Sequence, residues 1–211
     1  MEYRRLGNSG LKVSSVGLGT NNFGGRLDET SSVTVIQAAI DQGINMLDTA
    51  NIYGANLSEV YIGNAVNGLR DKVLLATKVS GKMGDGPNDS GTSRSHIMYE
   101  VEQSLKRLGT DYIDLYQIHF PSDETPIEET LRALDDLVTQ GKVRYIGCSN
   151  YSSWQTCEAI WTSRTLGLNG FVSVQPHYNL LTRSIERELM PFCEAYDVCL
   201  LYTSPSPRDR G

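Results

Sequence analysis

One pattern constrains the fold of this chain more than any other. A short apolar run, a polar loop and a segment of helical period follow one another repeatedly along nearly its whole length. The runs are Val16 to Gly19, Asn45 to Asp48, Val73 to Lys78, Tyr112 to His119, Val143 to Cys148, Phe171 to Gln175 and Val198 to Leu201. Strands alternating with helices of this length build parallel βαβ units, because a parallel neighbour needs a long crossover that packs back on the sheet. Helices are expected over Ser31 to Gln42, Ser93 to Leu108, Thr125 to Gln140, Ser152 to Leu166 and Thr182 to Tyr196. Ser93 is the expected cap of the second and Gly109 its stop. Thr125 is the expected cap of the third, with Pro126 in its first turn, Glu128 and Glu129 early, and Gly141 just past its end. Pro191 is expected to interrupt the last. Ahead of all this, Tyr3 to Leu6 and Leu11 to Val13 flank Gly7-Asn8-Ser9-Gly10 and read as a hairpin.

About seven such strands fit either an open doubly wound sheet or a (β/α)8 barrel. The open sheet announces a nucleotide with G-x-G-x-x-G in its first βα turn, and the first turn here, GLGTNNFGG, lacks that spacing. A barrel instead predicts polar side chains at the carboxyl ends of several strands. They are present: Asp48, Lys78, His119, Ser149 with Asn150, and Gln175, at spacings of 30, 41, 30 and 26 residues, roughly one βα unit each. Successive strand ends of a barrel share one mouth, so these groups are expected to converge on one pocket.

Composition narrows the function. A net charge of −6 offers no broad basic field for nucleic acid or anionic membrane. No stretch approaches the ~20 apolar residues that span a bilayer, and the start, MEYRRLGNSGLKVS, has no apolar run behind its arginines. Cys148, Cys157, Cys193 and Cys199 show no C-x-x-C spacing and read as reduced thiols of a cytoplasmic protein. His96, His119 and His177 have no ligand spacing, so no metal is expected.

The strand-end set has a chemical logic. Lys78 and Asp48 end neighbouring strands and are expected to pair. An ammonium near a phenol favours the phenolate, so Lys78 would ready Tyr53, in the loop Thr49 to Gly54, to give a proton to a carbonyl oxygen. His119 would orient that oxygen. This set holds a general acid and no evident nucleophile, which suits carbonyl reduction by an external hydride better than hydrolysis. Taken singly, each residue has an ordinary use: Asp48 as a turn cap, Lys78 as a surface charge, His119 as a structural histidine, Tyr53 as rim packing.

GINMLDTANIYG, VLLATK, IDLYQIH, VRYIGCSN and VQPHYNLL together resemble the successive strand-end motifs of the aldo-keto reductase superfamily, from Tyr3 to about Val198. The opening YRRLGNSGLKVS and ETLRALDDLVTQGKVRYIG look closer to its bacterial reductases and potassium-channel β-subunits. The resemblance implies a (β/α)8 barrel that binds NADP(H) without a Rossmann domain and reduces a small-molecule carbonyl. Its catalytic tetrad falls on Asp48, Tyr53, Lys78 and His119. Its cofactor contacts fall on Gly19, Thr20, Asp48, Ser149, Asn150 and Gln175. Alternatives are a cofactor-binding regulatory subunit of the potassium-channel β type and an unrelated barrel isomerase using His119 and Asp48.

The pattern stops early. Residues 1–198 are expected to form an incomplete barrel, with 199–211 a tail foreign to the family; its TSPSPRDRG stretch has no apolar run and reads as disordered. A barrel short of its last strands leaves its first strand unpaired on one side, so the chain as written is expected to fold poorly and to turn over little substrate.

Overall fold

The structure, a computed structural model, describes residues 1–202. The disorder expected for TSPSPRDRG lies outside the described residues. The chain opens with an antiparallel hairpin, β1 (Tyr3–Arg5) and β2 (Lys12–Ser14). A curled parallel sheet follows: β3 (Leu18–Gly19), β4 (Met46–Asp48), β5 (Leu74–Val79), β6 (Ile113–Ile118), β7 (Val143–Ser149), β8 (Ser173–Gln175) and β9 (Cys199–Leu200). Between strands run α1 (Glu29–Asp41), α2 (Leu57–Ala65), α3 (Arg94–Leu108), α4 (Ile127–Thr139), α5 (Ser153–Leu166) and α6 (Leu189–Tyr196).

Strand order decides between the two architectures. Each strand pairs with its sequence neighbours, from β3 through to β9, always in parallel. A doubly wound sheet reverses its order at a switch point; this one does not, and it is an incomplete (β/α) barrel. β3 and β9 each have one sheet neighbour among the described residues. The sheet runs to Leu200, past the boundary expected after Val198.

The period of two along each strand separates two apolar layers. Leu47, Leu75, Tyr116, Ile118, Ile146 and Val174 face outward and pack with Ile36, Ile62, Ile97, Leu131, Leu134 and Ile160 of the helices. Met46, Ala76 and Leu115 face the opposite way and are covered by Leu6 and Val13 of the hairpin region. The hairpin thus plugs the amino end of the barrel interior, leaving the carboxyl end for polar groups.

Local chemistry sets the helix ends. Ser93 caps α3 and Gly109 ends it in a left-handed turn, as expected. Ser152 caps α5 in a capping box with Gln155. Asp28, accepting from the Ser31 N–H at 2.9 Å, starts α1 two residues before the expected Ser31. Pro126, rather than Thr125, occupies the cap of α4, with no side-chain bond to the helix. Pro191 does not interrupt α6: it sits in the first turn, where a backbone N–H would have no intrahelical partner. The sequence reading passed over α2. That helix buries Ser58 and Glu59 along with Ile62, which blurs its amphipathic period. A Cβ on its Gly63 would meet the Arg107 carbonyl at 2.7 Å, so this position admits only glycine where α2 crosses α3. Among the described residues, no helix is long and apolar enough to cross a membrane.

Candidate active site

Register carries the strand-end residues to one rim. Asp48 lies opposite Ala76, Lys78 opposite Gln117, Gln117 opposite Gly147, and Ser149 opposite Gln175. Positions two apart on a strand share a face, so Asp48, Lys78, Gln117, Ser149 and Gln175 all project from the inner face. His119 follows β6 directly, its N–H donating to the Val79 carbonyl at 2.7 Å.

At the centre is an ion pair. Lys78 Nζ donates to both Asp48 oxygens at 2.9 and 2.8 Å, and to the Thr49 carbonyl at 2.8 Å. The lysine is 1% exposed, so its charge depends on this pair rather than on water. Two amides complete the carboxylate's shell: Gln117 Nε2 donates to Oδ1 at 3.2 Å and Gln175 Nε2 to Oδ2 at 3.1 Å. All three ammonium protons have acceptors within the protein, so Lys78 acts on its neighbours through its field.

Tyr53 is the neighbour. It is partly buried, and the Lys78 ammonium lies 5.2 Å from its ring centroid. The residues after it force the chain to turn: Gly54, Ala55 and Asn56 all take left-handed backbone. A Cβ on Gly54 would fall 2.1 Å from the Phe23 carbonyl, so only glycine lets the turn seat against that loop. Strain at Ala55 and Asn56 of this kind concentrates at functional sites.

The His119 ring stands edge-on to Tyr53, 5.7 Å between centroids, and stacks on Phe120 at 4.3 Å. Burial and the Lys78 charge push its pKa down to about 4, against a smaller opposing effect of Asp48. It is therefore neutral at pH 7. Its Nδ1 is buried without a hydrogen-bond partner among the described residues, as is Gln117 Oε1. Unsatisfied polar atoms in such a place are what a polar guest would answer.

The other residues expected to touch a cofactor hold one another. The Thr20 hydroxyl donates to the Asp48 carbonyl at 2.9 Å. The Ser149 hydroxyl donates to the Gln175 carbonyl at 2.8 Å, and Asn150 Nδ2 to the His119 carbonyl at 2.9 Å. Asn150 achieves this with a left-handed backbone, φ 60°. Gly19 pairs with Asp48 at the edge of the sheet. Between β3 and β9 opens a cleft of about 490 Å³ that reaches Gly19, Asp48 and Gln175.

The sequence reading missed Gln117. A glutamine inside the otherwise apolar end of β6 was the available signal, since buried amides need partners. It also missed the group formed by Asn51, Glu59, Glu100 and Arg107, whose members come from three separate elements.

Comparison with known proteins finds clear relatives of the chain. The chain is 41% identical to the aldo-keto reductase YhdN of Bacillus subtilis, over 97% of its own length and 62% of the relative's. It is 40% identical to the versiconal hemiacetal acetate reductase of Aspergillus parasiticus, over 99% of its length and 68% of the relative's. It is 38% identical to a probable voltage-gated potassium channel subunit beta of Arabidopsis thaliana, over 97% of its length and 64% of the relative's. The chain thus spans roughly two thirds of these relatives. The sequence profile of the aldo/keto reductase family matches residues 15–206, and with the barrel order of its strands and the strand-end residues gathered at one rim, the chain belongs to that family.

Proposed function

We propose that this chain carries the catalytic rim of an NADPH-dependent oxidoreductase that reduces small aldehydes or ketones to alcohols in the cytoplasm. The observation behind this reading is the Lys78 ammonium, clamped by Asp48 and set 5.2 Å from the Tyr53 ring, with the His119 ring 5.7 Å from that same tyrosine. Tyr53 is the proton donor to the carbonyl oxygen, helped by the positive charge behind it as negative charge develops in front. Asp48 fixes the ammonium, and His119, uncharged at neutral pH, holds the carbonyl by a hydrogen bond without competing for the phenol's proton.

The rim residues fit a nicotinamide group. Asn150 and Gln175 use their amide N–H groups inside the protein, while their side-chain oxygens accept no hydrogen bond among the described residues. Those oxygens match the donor end of a carboxamide, with Ser149 beside them and Gly19 across the cleft. The cofactor, when bound, supplies the hydride.

The test joins residues 1–202 to the carboxyl-terminal third of the Bacillus subtilis relative and follows loss of NADPH absorbance with benzaldehyde. Turnover is expected in the fusion and little in the 211-residue chain alone. Tyr53→Phe should lower kcat by roughly 10²- to 10⁴-fold; full activity in that variant would remove the reading. The likeness to the plant potassium-channel subunit supports a second reading, a cofactor-binding regulatory subunit with the same rim. NADPH binding without turnover in the fusion would favour it.

A further inference from the structure

Behind the sheet, on its helix side, lies a group of buried polar side chains that the chemistry above does not use. Glu59 of α2 is fully buried and accepts from Thr77 Oγ1 and from Arg107 Nε, both at 2.6 Å. Arg107 Nη2 lies 3.6 Å from Glu100 Oε2, and Glu100 on α3 is 2% exposed. Two buried carboxylates face one guanidinium here. Burying the second is costly, and helix packing alone would be served as well by apolar residues.

Glu100 has a further partner that gives its burial a purpose. Asn51, 0% exposed, donates through Nδ2 to Glu100 Oε2 at 2.9 Å. Asn51 belongs to the loop between β4 and α2, two residues before Tyr53. Its backbone N–H also donates to the Lys78 carbonyl at 3.2 Å. Among the described residues, Tyr53 N–H bonds only within the loop, to Ala50. Asn51 therefore ties the approach to Tyr53 in two directions, by its backbone to the strand that carries Lys78 and by its side chain to α3. A hydrogen bond to a carboxylate is stronger than one between neutral groups, and the Arg107 guanidinium keeps that carboxylate in place.

We propose that Glu100 is a positioning residue for Tyr53, acting through Asn51: the buried Arg107–Glu100 pair holds the Asn51 amide, and with it the register of the Tyr53 loop over Lys78. The catalytic part of this claim rests on Tyr53 being the proton donor; the mechanical part does not.

The test exchanges donor and acceptor between the two positions. Amide hydrogen exchange is read on the 211-residue chain and, independently of the open sheet edges, on the fusion described above. Asn51→Ala should speed exchange at the amides of residues 51 and 53 by about tenfold or more, leaving amides of α4 and β6 at native rates. In the fusion it should lower kcat about tenfold to a hundredfold with the KM for NADPH unchanged. The double variant Asn51→Asp with Glu100→Gln restores a donor–acceptor pair with its polarity reversed, and should recover both the slow exchange and most of kcat. A merely structural pair would not act on kcat alone. Native exchange at residues 51 and 53 in Asn51→Ala, or no recovery in the double variant, overturns the proposal. If Tyr53→Phe proves fully active, the reductase reading fails, while the exchange rates still decide whether Glu100 holds the loop.

Discussion

One ion pair sits at the amino end of the sheet and another at its carboxyl end, and they are built for different ends. At the amino end, Arg70 and Asp114 meet at 2.6 Å. Arg70 also donates to Thr110 Oγ1, the Val73 carbonyl and the Tyr112 carbonyl, each at 2.9 Å, and lies 3.9 Å over the Tyr112 ring. Asp114 Oδ2 takes the Leu75 N–H as well. Each guanidinium nitrogen of Arg70 has an acceptor, in Thr110, Asp114 or the backbone leading into β5 and β6, which makes the pair a staple. At the carboxyl end, Lys78 and Asp48 are equally well paired, yet the groups around them are left incomplete. His119 Nδ1 and Gln117 Oε1 lack partners among the described residues, and the Tyr53 phenol stands beside an ammonium with no proton to give it. A saturated pair stabilises; a saturated pair among unsatisfied neighbours can act on a guest. That contrast matches the division in barrels generally, with stability at the amino face and chemistry at the carboxyl face.

The contrast can be broken in several ways. Lys78→Met should reduce kcat of the fusion by about 10³-fold, and residual activity near native would show that the carboxyl-end pair is only another staple. Asp114→Ala should do the reverse. It leaves a partly buried guanidinium short of its carboxylate, costing on the order of 3 kcal/mol in denaturant unfolding, while kcat per folded molecule stays put; a loss of kcat at unchanged stability would erase the distinction.

Acid sharpens the comparison further. His119 has its pKa depressed to about 4 in the fold, against about 6.5 when unfolded. Between those values the unfolded chain binds a proton that the folded chain does not. The contribution is fully present above pH 6.5 and is lost as pH falls toward 4, at most about 3 kcal/mol and less with partial solvent access. His119→Gln should flatten this slope in urea melts between pH 7 and 4.5; an unchanged slope would place the acid sensitivity elsewhere. The smallest effect is expected from Gln117→Leu. It removes one of the two amides on Asp48, with a severalfold loss of kcat and little change in melting temperature.

Much of this was legible beforehand, for identifiable reasons. The seven apolar runs are strands because βαβ alternation leaves parallel pairing as the economical arrangement, and the first turn's lack of G-x-G-x-x-G pointed away from a doubly wound sheet. Ser93, Gly109 and Ser152 mark helix ends by chemistry that operates within a few residues. The less legible parts depend on contacts between distant segments. α2 escaped because Ser58 and Glu59 are buried against Thr20, Thr77 and Arg107, partners found only after folding. The cap of α4 and the placing of Pro191 turned on which residue of a permissive set the tertiary structure selected.

The sequence by itself determined the alternation of strands and helices and the identities of Asp48, Tyr53, Lys78 and His119 as a candidate set, because period and strand-end position are properties of the chain, while the order of the strands in the sheet was read from the structure. Only the tertiary structure decided that Lys78 directs all three protons at Asp48 and Thr49, that two glutamines complete the carboxylate's shell, that His119 is neutral, and that Glu100 reaches the Tyr53 loop through Asn51. The physical reason is that hydrogen-bond partners and local dielectric depend on which segments meet in space, and local sequence pattern does not encode that.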